Sequence, residues 1–245
     1  MKIYTYYENV GMPDQEETLA LWSQNWKESG FEPIVLREHH ARSHTRYQEI
    51  EELISEIHLD GARVKIPSSS YWLSVHTYHL AFDSQIQNRS LVIDYDVFNV
   101  SLKPSFTIPE EFTYYDGWCT CCCSGKQGDF MNWLDLCIKY KSILKEKIKQ
   151  DHAKTGRQYY GNDFFLGALE QEFQYHTGTI LPSDRTFLAE GWDYRDNKPR
   201  DLSRVKMVHF STRCSHAYSN FNKINSDPRI ARNLFIREFL NNNYI

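Results

Sequence analysis

The chain has 245 residues, 41% hydrophobic and 15% aromatic, with 28 Lys and Arg against 32 Asp and Glu for a net charge of −4. This length and apolar content suffice for one sizeable core and exclude a disordered chain, and the mild acidity excludes a global basic field for nucleic acid. No run approaches the ~20 apolar residues of a membrane span, and the polar, aromatic start Met1–Met12 lacks the apolar segment of a secretory leader.

In chain order, "KIYTYY" reads as a first strand. A helix follows from Asp14, with Glu16 and Glu17 in its first turn, Leu19, Trp22 and Trp26 at helical spacing, and Gly30 as its stop. "FEPIVL" is a second strand, so a β-α-β unit of the kind that builds parallel sheets fills the first 36 residues. A helix from about Arg46 carries Ile50, Leu53, Ile54 and Ile57 on one face, and the Pro67 and serine run of "IPSSSYWLSVHTYHLAF" suits a helix cap. "SLVIDYDVFN" and "WCTCCC" read as strands, "DFMNWLDLCIKYKSILKEKIKQ" as one long amphipathic helix, and "GNDFFLGALEQEFQYHTG" as another ending at Gly178. "VKMVHFS" is a late strand and "DPRIARNLFIREFLNN" a closing helix. The alternation predicts an α/β fold in one domain, with no repeat or linker.

"LVIDYDVFN" raises the first chemical question. On a strand, Asp94 and Asp96 share a face with Tyr95 opposite. Ligands of open α/β sheets bind beyond the carboxyl ends of strands, and a hard divalent cation relieves the repulsion of two such carboxylates. The pattern is equally that of two solvated aspartates at a strand end. Phosphatases of the haloacid-dehalogenase type use Asp-x-Asp-x-Thr, but here Val97 and Phe98 follow; nucleotidyltransferases also pair strand carboxylates, but no Gly-Ser lead-in precedes them here. Further along, "SGKQG" at 124–128 is a glycine turn, Asn162 and Asp163 stand where a helix begins, and His209 lies in an apolar late strand. Each has an ordinary structural use as a turn, an N-cap and a core histidine.

Taken in order, "DYD" at 94–96, "SGKQG" at 124–128, "GND" at 161–163 and "VHF" at 208–210 resemble the GT-A fold of nucleotide-sugar-dependent glycosyltransferases. The resemblance implies a Rossmann-related mixed sheet, mostly parallel and flanked by helices, with residues 1–100 as the nucleotide-binding part and 101–245 as the acceptor-binding and metal-histidine part. It implies that Asp94, Asp96 and His209 hold Mn²⁺ or Mg²⁺, with Asp94 touching the metal or the ribose. Thr5, Tyr6, Tyr7 and Tyr95 would line the nucleotide. Asp163, beside Asn162, would act as base or positioning group near the sugar. The donor it implies is a nucleotide sugar, more specifically a UDP-sugar. Retaining members continue the His-Phe strand to Lys-Pro-Trp, whereas this chain reads "HFSTRCSH"; Arg213 then stands in for that lysine against the diphosphate. A sugar nucleotidyltransferase and a non-catalytic, cation-dependent carbohydrate-binding protein are the alternatives.

Four of the six cysteines, Cys119, Cys121, Cys122 and Cys123, fall within five positions. That crowding does not suit a disulfide framework or the C-x-x-C spacing of zinc sites; it suits a strand core with reduced thiols in a cytoplasmic protein. Lys139, Lys141, Lys145, Lys147, Lys149, Lys154 and Arg157 form a basic stretch, read either as a solvated face or as a contact to a DNA acceptor.

Overall fold

The computed structural model describes residues 1–9, 15–57, 79–115, 121–156, 179–180, 187–193, 196–224 and 228–241. The elements run β1 (Lys2–Tyr6), α1 (Gln15–Glu28), β2 (Glu32–Leu36), α2 (Glu38–Arg42), α3 (Tyr47–Ile57), α4 (described over 79–85), β3 (Ser90–Ile93), β4 (Val97–Asn99), β5 (Thr113–Tyr114) and β6 (Cys122–Gly125). They continue with α5 (Asp129–Lys139), α6 (Lys141–Thr155), β7 (Thr179–Ile180), β8 (Leu188–Glu190), β9 (Trp192–Asp193), β10 (Lys198–Pro199), β11 (Met207–His209), α7 (Thr212–Phe221) and α8 (Pro228–Asn241).

The first β-α-β unit forms as its sequence dictates. After α1, the Phe31 N–H donates to the Trp26 carbonyl and the Gly30 N–H to that of Lys27, both at 3.0 Å. Gly30 has φ +85°, the left-handed conformation this helix stop needs, and the Trp26 and Phe31 rings meet edge-on at 5.0 Å. Pro33 lies in β2, which is an edge strand, so its missing N–H breaks no ladder.

The main sheet has the order β2-β1-β3-β6-β5-β7. β1 pairs in parallel with both β2 and β3, and β5 with β7, while β6 is antiparallel to β3 and β5. The sheet is therefore mixed, with three of its five described pairings parallel. Alternating side chains feed two cores. Ile3, Tyr7, Leu91 and Ile93 face α1, α7 and α8 with Trp22 and Trp26, and Tyr4, Val92 and Cys123 face α3, α5 and α6 with Ile50, Phe130 and Leu144. β4, β11 and β8 make a second sheet, and β9 and β10 a two-stranded ribbon.

Two expectations change. The long basic helix is two helices, broken at Tyr140, whose φ −109° and ψ 21° leave the helical region. And β3 ends at Ile93 rather than carrying both aspartates: Asp94 opens a tight turn closed by the Val97 N–H on the Asp94 carbonyl at 3.0 Å. Aspartate is favoured at the first position of such turns. The chain then leaves the main sheet and pairs as β4 with β11.

Candidate active site

α1 joins β1 to β2 across one face of the sheet, and α3 lies on the other face on the way to β3. The strand order thus reverses between β1 and β3, and a crevice at that reversal, beyond the carboxyl ends, is where α/β sheets bind ligands. Tyr7, Asp94, Tyr95 and Asp96 all lie at this edge. The Tyr7 and Tyr95 rings meet edge-on at 5.6 Å. Gln15, the first residue of α1, donates to the Glu8 carbonyl at 2.9 Å and to the Tyr95 hydroxyl at 3.3 Å, tying the two strand ends together.

The turn, not a strand pleat, sets the carboxylates apart. Asp94 is exposed, and its backbone N–H donates to the Cys121 carbonyl at 2.8 Å. Asp96 points inward, with 14% of its side chain exposed. The Phe210 N–H holds its carbonyl at 2.8 Å, which fixes the end of β11 against the turn. His209 and Asp96, 113 residues apart in sequence, thereby come within 3.4 Å, Nε2 to Oδ1. Glu190 lies opposite His209 in the β8–β11 register, its Oε1 3.7 Å from His209 Nδ1, and Ser211 donates to Glu190 Oε2 at 2.8 Å. Arg232 of α8, its side chain 9% exposed, donates from Nη1 to Asp96 Oδ2 at 3.1 Å. Burial pushes the Asp96 carboxyl up, but His209 and Arg232 outweigh it and hold it below the usual carboxylate range.

α1 and α8 brace this corner. Asn25 accepts from the Asn99 N–H at 2.7 Å and donates to its carbonyl at 3.3 Å, and Trp26 Nε1 donates to the Val97 carbonyl at 3.1 Å. Thr18 donates to Asn233 at 2.6 Å, and Glu17 receives Asn233 at 3.0 Å and pairs with Arg237. A Cβ at Gly191 would stand 3.1 Å from the Phe210 ring, tighter than an ordinary contact.

Of the residues singled out from sequence, Asp96 and His209 meet, and Tyr7 and Tyr95 pack edge-on at the same end of the sheet. Tyr7 is 1% exposed, and Arg37 lies over its ring, so it offers no open face for stacking on a base; this corrects that role for Tyr7. Thr5 is fully buried and its hydroxyl makes no hydrogen bond, while Tyr6 packs against the opposite core. The glycine loop lies away from the carboxylates: Gly125 pairs with Ser90, at the opposite edge of the sheet from Asp94. There the Gly128 N–H caps the buried Asp83 at 2.6 Å, which in turn meets His44. Asn162 and Asp163 lie outside the described residues, and Arg213 is in the first turn of α7 with its side chain outside them. Cys121, Cys122 and Cys123 are core residues, as their crowding suggested, and burial pushes the Cys123 thiol up.

Glu190 and Arg232 were not anticipated. Arg232 had a signal: with Phe235, Ile236 and Phe239 it completes the buried stripe of α8, an arginine where helical spacing calls for an apolar residue.

Among the described residues no group of three His, Cys, Asp or Glu side chains is arranged to hold a metal ion, and no helix is long and apolar enough to cross a membrane. Two donors are nonetheless well placed. Adjacent ligands of an octahedral cation with bonds near 2.1 Å lie about 3.0 Å apart, close to the Asp96–His209 separation of 3.4 Å. Glu190 Oε1 stands behind Nδ1, on the ring side away from Asp96, as carboxylates do behind metal-binding histidines. Two protein donors make an open site, suited to a cation that arrives with an anionic ligand. Comparison with protein-family models, with characterised proteins and with solved structures returned no match.

Proposed function

We propose that the protein is a divalent-metal-dependent glycosyltransferase that moves a sugar from a nucleoside diphosphate sugar, a UDP-sugar, to an acceptor. The observation that carries the reading is the meeting of Asp96 and His209 at the crevice where the strand order reverses. Asp96 Oδ1 and His209 Nε2, helped by Asp94, would hold Mn²⁺ or Mg²⁺, whose chemistry is to neutralise the departing diphosphate as a Lewis acid.

The remaining steps belong to the chain. With a metal bound, Glu190 behind Nδ1 would favour the proton there and leave Nε2 as the ligand atom. Arg232 holds the second oxygen of Asp96 and prevents the carboxylate from rotating. Tyr95, anchored by Gln15, walls the crevice beside Asp94. Arg213 is assigned to the diphosphate, and Asp163, with Asn162, to the acceptor hydroxyl or the sugar.

The acceptor is a glycan or a modified nucleobase in DNA, the latter engaged through the basic residues of α5 and α6. Lys141 pairs with Glu56 at 2.5 Å and Lys149 with Glu146 at 3.7 Å, and DNA affinity would fall steeply with salt.

The test is a panel of nucleotide sugars with Mn²⁺, with and without chelator, read as nucleoside diphosphate release on glycan and oligonucleotide acceptors. Metal-dependent release that Asp96→Ala abolishes supports the reading. Pyrophosphate release from a nucleoside triphosphate and a sugar phosphate would make the protein a nucleotidyltransferase, and sugar binding without turnover on any acceptor would make it a carbohydrate-binding protein.

A further inference from the structure

We propose that Arg37 selects the base of the nucleotide donor, favouring the keto bases uracil and guanine over the amino bases cytosine and adenine. This rests on the nucleotide-sugar reading and adds the chemistry of the base to it. Arg37 directly follows Leu36, the last residue of β2, so it stands on the same carboxyl edge as Tyr7 and Asp94. Its guanidinium lies over the Tyr7 ring, with Cζ 4.9 Å from the centroid. A ring face holds a cation by charge and leaves its N–H groups unused.

Arg37 is exposed and makes no ion pair among the described residues, whereas Arg42, Arg46, Arg89, Arg200, Arg232 and Arg237 each face a carboxylate. The result, among the described residues, is a fork of donors beside Tyr7 at the ligand edge of the sheet with no carboxylate paired to it. A guanidinium donates and never accepts. It therefore matches O4 of uracil or the O6 and N7 of guanine, whereas at those same positions cytosine and adenine present an exocyclic amine, another donor.

Its location agrees with a base rather than a phosphate. β1 separates β2 from β3, so the two strands are two interstrand spacings, about 10 Å, apart. A diphosphate held near Asp96 would place its nucleoside across that gap, with the base toward β2.

The experiment is calorimetric titration of UDP, GDP, CDP and ADP, each with Mn²⁺, into the wild type, Arg37→Met and Arg37→Lys, with circular dichroism as a check on fold. The wild type is expected to bind UDP or GDP about tenfold or more tighter than CDP and ADP, as one charge-assisted hydrogen bond provides. Arg37→Met should erase that gap by weakening only the keto nucleotides. A uniform loss for all four, restored by Arg37→Lys, would reveal a phosphate contact and overturn the proposal. So would an unchanged ranking of the four in Arg37→Met, which would leave the nucleotide-sugar reading standing. A wild type that binds none of the four would remove that reading and the proposal together.

Discussion

Replacing Asp96 with alanine is expected to destabilise the protein through Arg232. The two side chains are 14% and 9% exposed, and the guanidinium was carried into the corner by a helix whose stripe is otherwise apolar. Removing one partner of a buried pair generally costs 3–5 kcal/mol. The residual exposure here lets water reach part of the site, which argues for the lower end, about 3 kcal/mol. At 2–4 °C per kcal/mol for chains of this size, the melting temperature should fall by roughly 6–12 °C. Arg232→Met removes the stranded charge and keeps its apolar stem, so Asp96→Ala/Arg232→Met should recover a good part of the loss. Urea titration followed by the fluorescence of the buried Trp22, Trp26 and Trp192 measures all four corners of the cycle. A coupling energy of about 1.5 kcal/mol or more is expected; additivity within about 0.5 kcal/mol would refute the claim that the two residues form one electrostatic unit.

Four further outcomes are expected. Because the Asp96 carboxyl lies below the usual range when folded, its contribution to stability is complete above about pH 3.9 and is lost as pH falls through its lower folded value; the stability gap between wild type and Asp96→Asn, followed by acid titration of unfolding, should therefore narrow below about pH 4. Gly125→Ala would put a Cβ 2.7 Å from the Phe112 ring, and should lower unfolding free energy in urea by about 1–3 kcal/mol. Asn25→Ala removes the amide that both accepts from and donates to the Asn99 backbone and should cost about 2 kcal/mol by the same assay, since a buried N–H and carbonyl lose their partner. With two well-placed donors among the described residues, Mn²⁺ alone should bind weakly and UDP should tighten it by tenfold or more, an effect that electron paramagnetic resonance of free Mn²⁺ would follow and that His209→Ala should remove.

The first 36 residues were legible because their signals are local. Acidic residues open α1, Gly30 closes it, and the strands on either side alternate toward two faces. His209 was legible as a strand residue and met Asp96 as the motif order implied. The turn at Asp94 was hidden by period-2 alternation, which a strand and a strand-turn-strand share until a pairing partner decides between them. Here that partner is β11, more than a hundred residues away. The place of the glycine loop is hidden for a related reason: its sequence position after the DxD motif says nothing of the strand's direction, and the antiparallel pairing of β6 sends it to the far edge. Tyr140 broke a continuous amphipathic pattern without a proline or glycine to announce it. Glu190 carries no pattern of its own and becomes recognisable only once its register opposite His209 is known.

The bracing of α1 by α8 has a consequence for how the protein is made. Thr18 bonds Asn233 across 215 positions, and Glu17 reaches Arg237 across 220. At 5–20 residues per second, a ribosome finishes α1 roughly ten to forty seconds before it delivers the helix that secures it. During that interval the nascent β-α-β unit can bury Trp22 and Trp26, but the inward face of Asp96 has neither His209 nor Arg232 beside it. Assembly of the site therefore waits until α8 has been made.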